Sequence, residues 1–294
     1  MNEQTVQRIY QLPCWQQSVE VQPLSGGMTN LNYKVTDGPR QFVVRLGEDK
    51  PEHLLWRNNE GVTSEVAAAC GFSPRVILRE QGLLVIQFIE GRVLTEADVR
   101  EPSTMQRIIP LLHRFHYEMP LRFDGYPIIF WVFQVLRHYA NMLRNANSPY
   151  CERIPELAEI ASQLEQDVGP VNIAFGHNDL LAANFIDDGE KIWMIDFDYA
   201  GFNSPLFDLA NLGSNNEFED STERLMLELY YSEPPCEARW KSYNAMKCAS
   251  LLRETMWSMV SESYSKIEFD YSSYTQENDR RFSLAYSNYL NNLS

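Results

Sequence analysis

HNDLLAANFIDDGEKIWMIDFDYA, residues 177–200, is the stretch on which the reading of this chain turns. It holds His177-Asn178-Asp179, an asparagine five residues beyond the aspartate (Asn184), and a second acidic block, Ile195-Asp196-Phe197-Asp198. Phosphoryl transfer from a nucleotide needs one carboxylate to orient the attacking hydroxyl, and oxygen ligands to hold Mg²⁺ against the phosphates. An Asp-x₄-Asn pair followed by a strand-borne Asp supplies both kinds of group. Val171 to Phe175 is an apolar run, Asn184-Phe185-Ile186 and Ile192-Trp193-Met194-Ile195 read as strands, and Asp187-Asp188-Gly189-Glu190 separates those two as a turn. The polar set therefore falls on a loop and at the end of a hairpin strand, where one cleft can receive all three groups. Either triplet alone is more often a cap or a solvated turn; together, at these spacings, they imply a phosphotransferase centre.

Outward from this stretch, the 294 residues exceed one average domain, and a hydrophobic content of 44% provides for a substantial core. The net charge of −15 argues against a nucleic-acid partner, because binding to a phosphate backbone is driven by clustered Lys and Arg. A small cationic substrate fits that charge better. Cys14, Cys70, Cys151, Cys236 and Cys248 are scattered, with no CxxC, and read as reduced thiols. No apolar run approaches the ~20 residues of a membrane span. Met1-Asn2-Glu3-Gln4 lacks the basic and apolar regions of a secretory leader. The expected location is cytoplasmic with no membrane partner, and the oligomeric state is left open. The histidines lack metal-ligand spacing, which argues against a zinc site, and no Gly-x-Ser-x-Gly turn supports a serine nucleophile. His177 is expected to steady the loop so that Asp179 points into the cleft, and His116 to be an ordinary helix residue.

Ser18 to Leu24 alternates in polarity, and Leu31 to Thr36 and Gln41 to Leu46 follow as strands. Ser25-Gly26-Gly27-Met28-Thr29-Asn30 between the first two is either a simple hairpin turn or a loop whose backbone amides close over nucleotide phosphates. Arg45 is a lone cation in the apolar strand Val43-Val44-Arg45-Leu46. It is a candidate phosphate contact, unless it faces outward. Leu54 to Cys70 is helix-compatible and contains Glu60, which either reaches back to Arg45 or is exposed. Leu83 to Gly91 is a buried strand ending in a polar residue and a glycine, suited to connect two lobes and to dock adenine on its backbone. From Thr95 onward helical patterns predominate.

A Gly-rich hairpin, a cation on the third strand, a helical Glu, a hinge, HxD-x₄-N and an Asp-Phe block occur in the order of a protein-kinase-like fold. The sequence resembles the choline/ethanolamine kinase family, including bacterial members related to the aminoglycoside phosphotransferases. The residues that carry the resemblance are Gly26-Gly27-Met28-Thr29-Asn30, Val43-Val44-Arg45-Leu46, Gln87-Phe88-Ile89, the run from His177 to Asn184, and Ile195 through Asp208 to Asn211. Leu252 to Trp257 and Ile267 to Tyr274 match the family's C-terminal substrate segments, so the likeness spans about 25 to 290.

The resemblance implies an α/β (α+β) fold with two lobes. Residues 1–90 would form a small β-rich nucleotide-binding lobe that includes the hinge, and residues 91–294 a larger, mainly helical lobe carrying the catalytic loop and substrate site. It implies Asp179 as the catalytic base, with Asn184 and Asp196 as Mg²⁺ ligands. Gly26, Gly27, Thr29 and Asn30 would form the phosphate loop, Arg45 would contact the α/β-phosphates with Glu60 bracing it, and Gln87 and Ile89 would offer backbone contacts to adenine. Tyr199, Trp257, Phe269 and Tyr274 match a cage for a quaternary ammonium. Asp198 stands where many relatives carry Glu, and Val260 where a second Trp is common. The implied reaction transfers the γ-phosphoryl group of ATP to the hydroxyl of a small amino alcohol, choline first. Ethanolamine, thiamine or an aminoglycoside are the alternative acceptors, and a catalytically silent binding module is the alternative of another class.

Overall fold

The computed structural model describes residues 3–24, 29–124 and 127–292. A short helix, α1 (Glu3–Tyr10), precedes strands β1 (Glu20–Leu24), β2 (Leu31–Asp37) and β3 (Arg40–Leu46). Helix α2 (Arg57–Ala69) then leads to β4 (Val76–Glu80) and β5 (Leu83–Gln87). Among the described residues these strands form one antiparallel sheet in the order β1-β2-β3-β5-β4. Strand alternation turns Tyr33, Val35, Phe42, Val44, Leu83 and Val85 to one face, where Ile9 and Leu12 from the α1 segment cover them. Leu84 and Ile86 are buried as well, because β5 lies between two neighbours with both faces covered.

The rest of the chain is mainly helical: α3 (Glu96–Arg100), α4 (Pro102–Glu118), α5 (Val132–Asn145), α6 (Ile154–Val168), α7 (Pro205–Asn215), α8 (Asp220–Tyr231), α9 (Glu237–Tyr264) and α10 (Tyr271–Asn291). The 28-residue α9 is the axis of this part, with α5, α6, α7 and α10 packed around it. Tyr243, Ala245, Met246, Cys248, Ala249, Leu252, Met259 and Val260 bury its circumference, as expected of a helix enclosed on all sides. No helix of the described residues is long and apolar enough to cross a membrane.

Among the described residues two small sheets interrupt the helices. Strands β6 (Arg92–Val93), β8 (Phe185–Asp187) and β9 (Ile192–Met194) form one, and β7 (Ala174–Gly176) pairs with β10 (Gly201–Asn203) in the other. The β8–β9 hairpin sets Asn184 just before one strand and Asp196 two residues past the next, and the Ile195 N–H donates to the Asn184 carbonyl at 3.0 Å. Several boundaries differ from the sequence expectation, among them β1 starting at Glu20 rather than Ser18 and β5 ending at Gln87 short of Gly91. Pro51–His53 forms a separate 3₁₀ turn, so the expected helix from Leu54 begins only at Arg57. Of Val171 to Phe175 only the last two residues join a strand, since Asn172 and Ile173 are exposed. Strand β4 was not foreseen, its outer residues Arg79 and Glu80 being exposed on the sheet's edge.

Candidate active site

His177 to Asn184 leaves β7 as a loop held from beneath by one carboxylate. Asp208, in the first turn of α7, accepts the His177 N–H and the Asn178 N–H, both at 2.7 Å, and the His116 Nε2–H at 2.9 Å. His116 is therefore no ordinary helix residue: it is fully buried, with the Tyr230 hydroxyl 2.6 Å from its Nδ1, and it holds the acceptor that holds the loop. Asn178 adopts φ +65° and spends its amide N–H groups on the carbonyls of Tyr199 and Gly201, at 2.9 and 3.2 Å. A non-glycine residue in this region persists only where its surroundings over-determine it. The His177 Nε2 donates to the Ile195 carbonyl at 2.9 Å, tying the loop to the β9 exit.

This framework leaves the Asp179 side chain 21% exposed and 3.6 Å from Nη1 of the buried Arg253. Burial pushes its pKa up to about 7; Arg253 opposes the rise, while Glu254, Asp196 and Asp208 add to it. The Asn184 Nδ2 donates to the Asp179 carbonyl at 2.8 Å, which leaves Oδ1 as the amide atom open to a cation.

On the sheet side, Arg45 faces inward. Its Nη2 lies 2.8 Å from Asp196 and 3.4 Å from Asp198, and its Nε 2.9 Å from Glu60. Glu60 thus reaches back to the strand arginine as the first of the two sequence readings has it. A second buried guanidinium, Arg57, went unremarked in the sequence. It donates to Glu60 (2.7 Å), Asp198 (2.8 Å), the Glu48 carbonyl (3.2 Å) and the Thr29 carbonyl (3.0 Å). Its spacing three residues before Glu60 on one helix face was the available signal, and Gly47 leaves it room, since a Cβ there would meet Arg57 Nε at 2.7 Å. Thr29 donates to Asp198 at 2.8 Å, so the segment after the glycine pair is fastened to the Asp-Phe-Asp block.

Carboxylate oxygens of Glu60, Asp196 and Asp198 lie within 4.8 Å of one another. Burial alone would raise the Asp196 pKa, but Arg45 outweighs it and the carboxyl titrates low; burial with Asp196 and Glu60 nearby holds Asp198 well above the usual range. An all-oxygen donor set of carboxylates and one amide suits a hard cation such as Mg²⁺. Of the remaining expected nucleotide contacts, Gly26 and Gly27 lie outside the described residues. Asn30 is buried, and its side-chain amide finds no hydrogen-bond partner among the described residues. Gln87 is exposed at the end of β5 with its N–H given to the Arg75 carbonyl at 2.9 Å. Ile89 is half-buried, and Lys34 Nζ sits 4.1 Å from the intervening Phe88 ring.

Beyond Asp179 the expected aromatic residues meet in a chain of ring contacts. The Trp257 indole N–H donates to the Tyr199 hydroxyl at 2.9 Å. Trp257 and Tyr274 meet edge to face at 6.4 Å, and Tyr274 and Phe269 likewise at 5.8 Å. Tyr271, absent from the expected set, touches both Trp257 (6.3 Å) and Phe269 (4.9 Å). Two charged residues were also missed. Glu254 accepts from the Tyr274 hydroxyl at 2.8 Å and from Arg253 at 2.9 Å, and the Arg253 guanidinium lies 4.9 Å from the Tyr199 ring centre. Val260 is packed into the core of α9.

The choline/ethanolamine kinase family model matches residues 21–233. The chain is similar to a probable ethanolamine kinase of Arabidopsis thaliana, 28% identical over 288 residues that cover 86% of this chain and 76% of that protein. It is equally similar to probable choline kinase 3 of the same plant, 28% identical over 304 residues, covering 90% and 86%. A solved choline/ethanolamine kinase family protein from Mesorhizobium loti shares the fold with a TM-score of 0.74 at 24% identity, covering 97% of this chain and 93% of that one. The expected kinase-like architecture, sheet-rich at the N-terminus and helical beyond, is thus the one found. With most of its length matched by one family model, the chain belongs to the choline/ethanolamine kinase family, a family of small-molecule alcohol kinases.

Proposed function

We propose that this protein is an ATP- and Mg²⁺-dependent kinase that transfers the γ-phosphoryl group to the hydroxyl of a small amino alcohol, choline foremost. The observation that supports this most directly is the position of Asp179. Its carboxylate lies 3.6 Å from Arg253, whose guanidinium stands 4.9 Å from the Tyr199 ring centre, and its backbone carbonyl accepts from Asn184 at 2.8 Å, so one residue adjoins both an expected metal ligand and the aromatic cluster. In this reading the part up to about Glu90 holds the nucleotide and the part from residue 91 carries the acceptor. Arg45, braced by Glu60, meets the phosphates alongside Gly26, Gly27, Thr29 and Asn30. Gln87, its N–H already spent, offers adenine only its carbonyl, and Ile89 its backbone. Asn184 and Asp196 would hold Mg²⁺, which when bound neutralises charge on the phosphate oxygens. Asp179 orients the alcohol and receives its proton, and its raised pKa suits a base working near neutrality. A desolvated cation over Trp257 and Tyr199 gains on the order of 2 kcal/mol.

A second reading, an acceptor whose nitrogen carries N–H as in ethanolamine, is favoured by Glu254. Held among Tyr274 and Arg253, that carboxylate has lone pairs to accept from an ammonium N–H, which choline lacks. Both readings are tested by incubating the full chain with ATP, Mg²⁺ and a mixed pool of small alcohols, and weighing the products by mass spectrometry. Asp179→Asn should lose about 10²–10⁴-fold in turnover while still binding ATP. Substantial turnover by that variant removes Asp179 from its role, and no phosphorylated amine from the wild type removes the substrate class.

A further inference from the structure

The turn between β3 and α2 reaches out of the sheet-rich part and touches the far side of the aromatic cluster. Pro51–His53 makes one 3₁₀ turn, and His53, though on a connection, is only 3% exposed. Its imidazole stacks on the Trp257 indole with ring centres 4.8 Å apart and planes 28° from parallel. Tyr139 meets the imidazole edge-on at 6.0 Å, and its Nε2 lies 3.1 Å from the Ser261 hydroxyl. Trp257 and Ser261 are four residues apart on α9, hence on one face of the helix. Helix α5 holds the turn in place, because the His138 Nε2 donates to the carbonyls of Pro51 and Glu52 at 3.1 and 3.2 Å.

The backbone is specialised for this delivery. Leu54, the next residue, has φ +57°, a left-handed conformation that a leucine rarely adopts and that persists only where packing compels it. Leu55, just after, is fully buried. Trp257 therefore has its edge fixed by the bond to Tyr199 and one face covered by His53, with the rings of Tyr271 and Tyr274 centred 6.3 and 6.4 Å away. Burial, with Lys50, Arg253 and His138 nearby, pushes the His53 pKa down to about 3. A neutral imidazole does not compete for the ring's electrons as a cation would.

We propose that His53 is a positioning residue for the amino-alcohol site: supplied by the nucleotide-binding part of the chain, it sets the plane of Trp257, so that the aromatic wall is complete only when the two parts are docked. The inference rests on the reading of Trp257 as a substrate wall. The turn joins the strand of Arg45 to the helix of Glu60, so the brace comes from the same stretch of chain as the residues proposed for the nucleotide.

The test is steady-state kinetics on the full chain, with calorimetric titration of tetramethylammonium as a probe that needs no turnover. His53→Ala should raise KM for the amino alcohol and the tetramethylammonium Kd about tenfold, while kcat and KM for ATP move less than about threefold. His53→Phe, which restores a flat ring, should bring both back to within about threefold of wild type. Ser261→Ala, which leaves the stack and removes only the Nε2 partner, should raise the amine KM by about threefold; it carries the test if His53→Ala does not fold. Equal shifts in both KM values, no shift, or a His53→Phe as poor as His53→Ala overturns the proposal with the wild type still active. A wild type that neither phosphorylates an amine nor binds tetramethylammonium overturns the substrate-site reading and the brace with it.

Discussion

Asp208 is a single buried carboxylate on which the backbone of the His177–Asn184 loop hangs. Both oxygens are taken by consecutive loop N–H groups, and His116 supplies a third hydrogen bond. In Asp208→Asn one oxygen becomes an NH₂ facing an N–H, so a hydrogen bond is lost and a buried donor left unmet, at a cost of about 1–3 kcal/mol. The loop should then hold Asp179 less firmly. The expected outcome is a kcat lower by about tenfold or more, in line with the sensitivity of catalysis to small misplacements, with KM for ATP little changed and a lower Tm. Wild-type kcat and Tm in that variant would show that the loop needs no such anchor. Residues of this kind divide by what a sequence can display. Arg45 stood out because a cation in an apolar strand demands a partner, and Asp179, Asn184 and Asp196 because their spacing is chemical. Arg57, Asp208, Glu254 and Tyr271 look like ordinary helix residues, and only the folded chain reveals which atoms meet them.

At the scale of elements, the seam between α7 and α9 depends on a glycine. A Cβ on Gly213 would come 2.4 Å from the Tyr243 hydroxyl and 3.1 Å from Glu223, and both side chains are fully buried. Alanine is the better helix former by about 1 kcal/mol, but overpacking a tight contact costs about 1–3 kcal/mol, and a ring fixed in the core cannot yield cheaply. Gly213→Ala should therefore lower Tm by about 2–5 °C; an unchanged or raised Tm would mean the helices separate easily. The Pro51–Leu54 turn carries a pH signature as well. The His53 pKa lies near 3 folded against 6.5 for an ordinary histidine, so folding favours the neutral ring. Its contribution is fully present above pH 6.5 and drains away as pH falls toward 3. His53→Phe cannot titrate, so the unfolding free energy of wild type relative to this variant, measured by denaturant titration, should fall from pH 7 to pH 4 by on the order of 3 kcal/mol. A gap independent of pH would show that the ring is reached by protons without disturbing the stack. This turn illustrates a limit of periodicity: Pro51 to Leu55 continues smoothly into a helix-compatible run, and nothing local announces that Leu54 reverses the chain. The sheet's alternating strands were plain in the sequence, whereas β4 was not, because an exposed edge strand has little burial to display.

For the whole molecule, the order of motifs along the chain revealed more than any element did, since the strand cation, the helical acid and the second acidic block, far apart in sequence, are the groups found in one ion-pair cluster. The net charge of −15 acts on a different length scale. It bears on how substrates arrive, because a cation approaching such a surface is drawn in by a field that salt screens over about 8–10 Å at physiological ionic strength. A cationic amino alcohol and a polyanionic nucleotide should thus respond to salt in opposite senses. Raising NaCl from about 50 to 500 mM should increase KM for the amine by roughly two- to fivefold, while KM for ATP stays level or falls. A neutral carbon isostere of choline, 3,3-dimethylbutanol, separates this field from salt effects on the protein itself. It fills the same aromatic space without charge, so its inhibition constant should not move with NaCl. If amine and isostere weaken in parallel, salt is altering the pocket and the surface charge serves only solubility; if the amine alone weakens, the acidic surface helps recruit the substrate that the aromatic wall then holds.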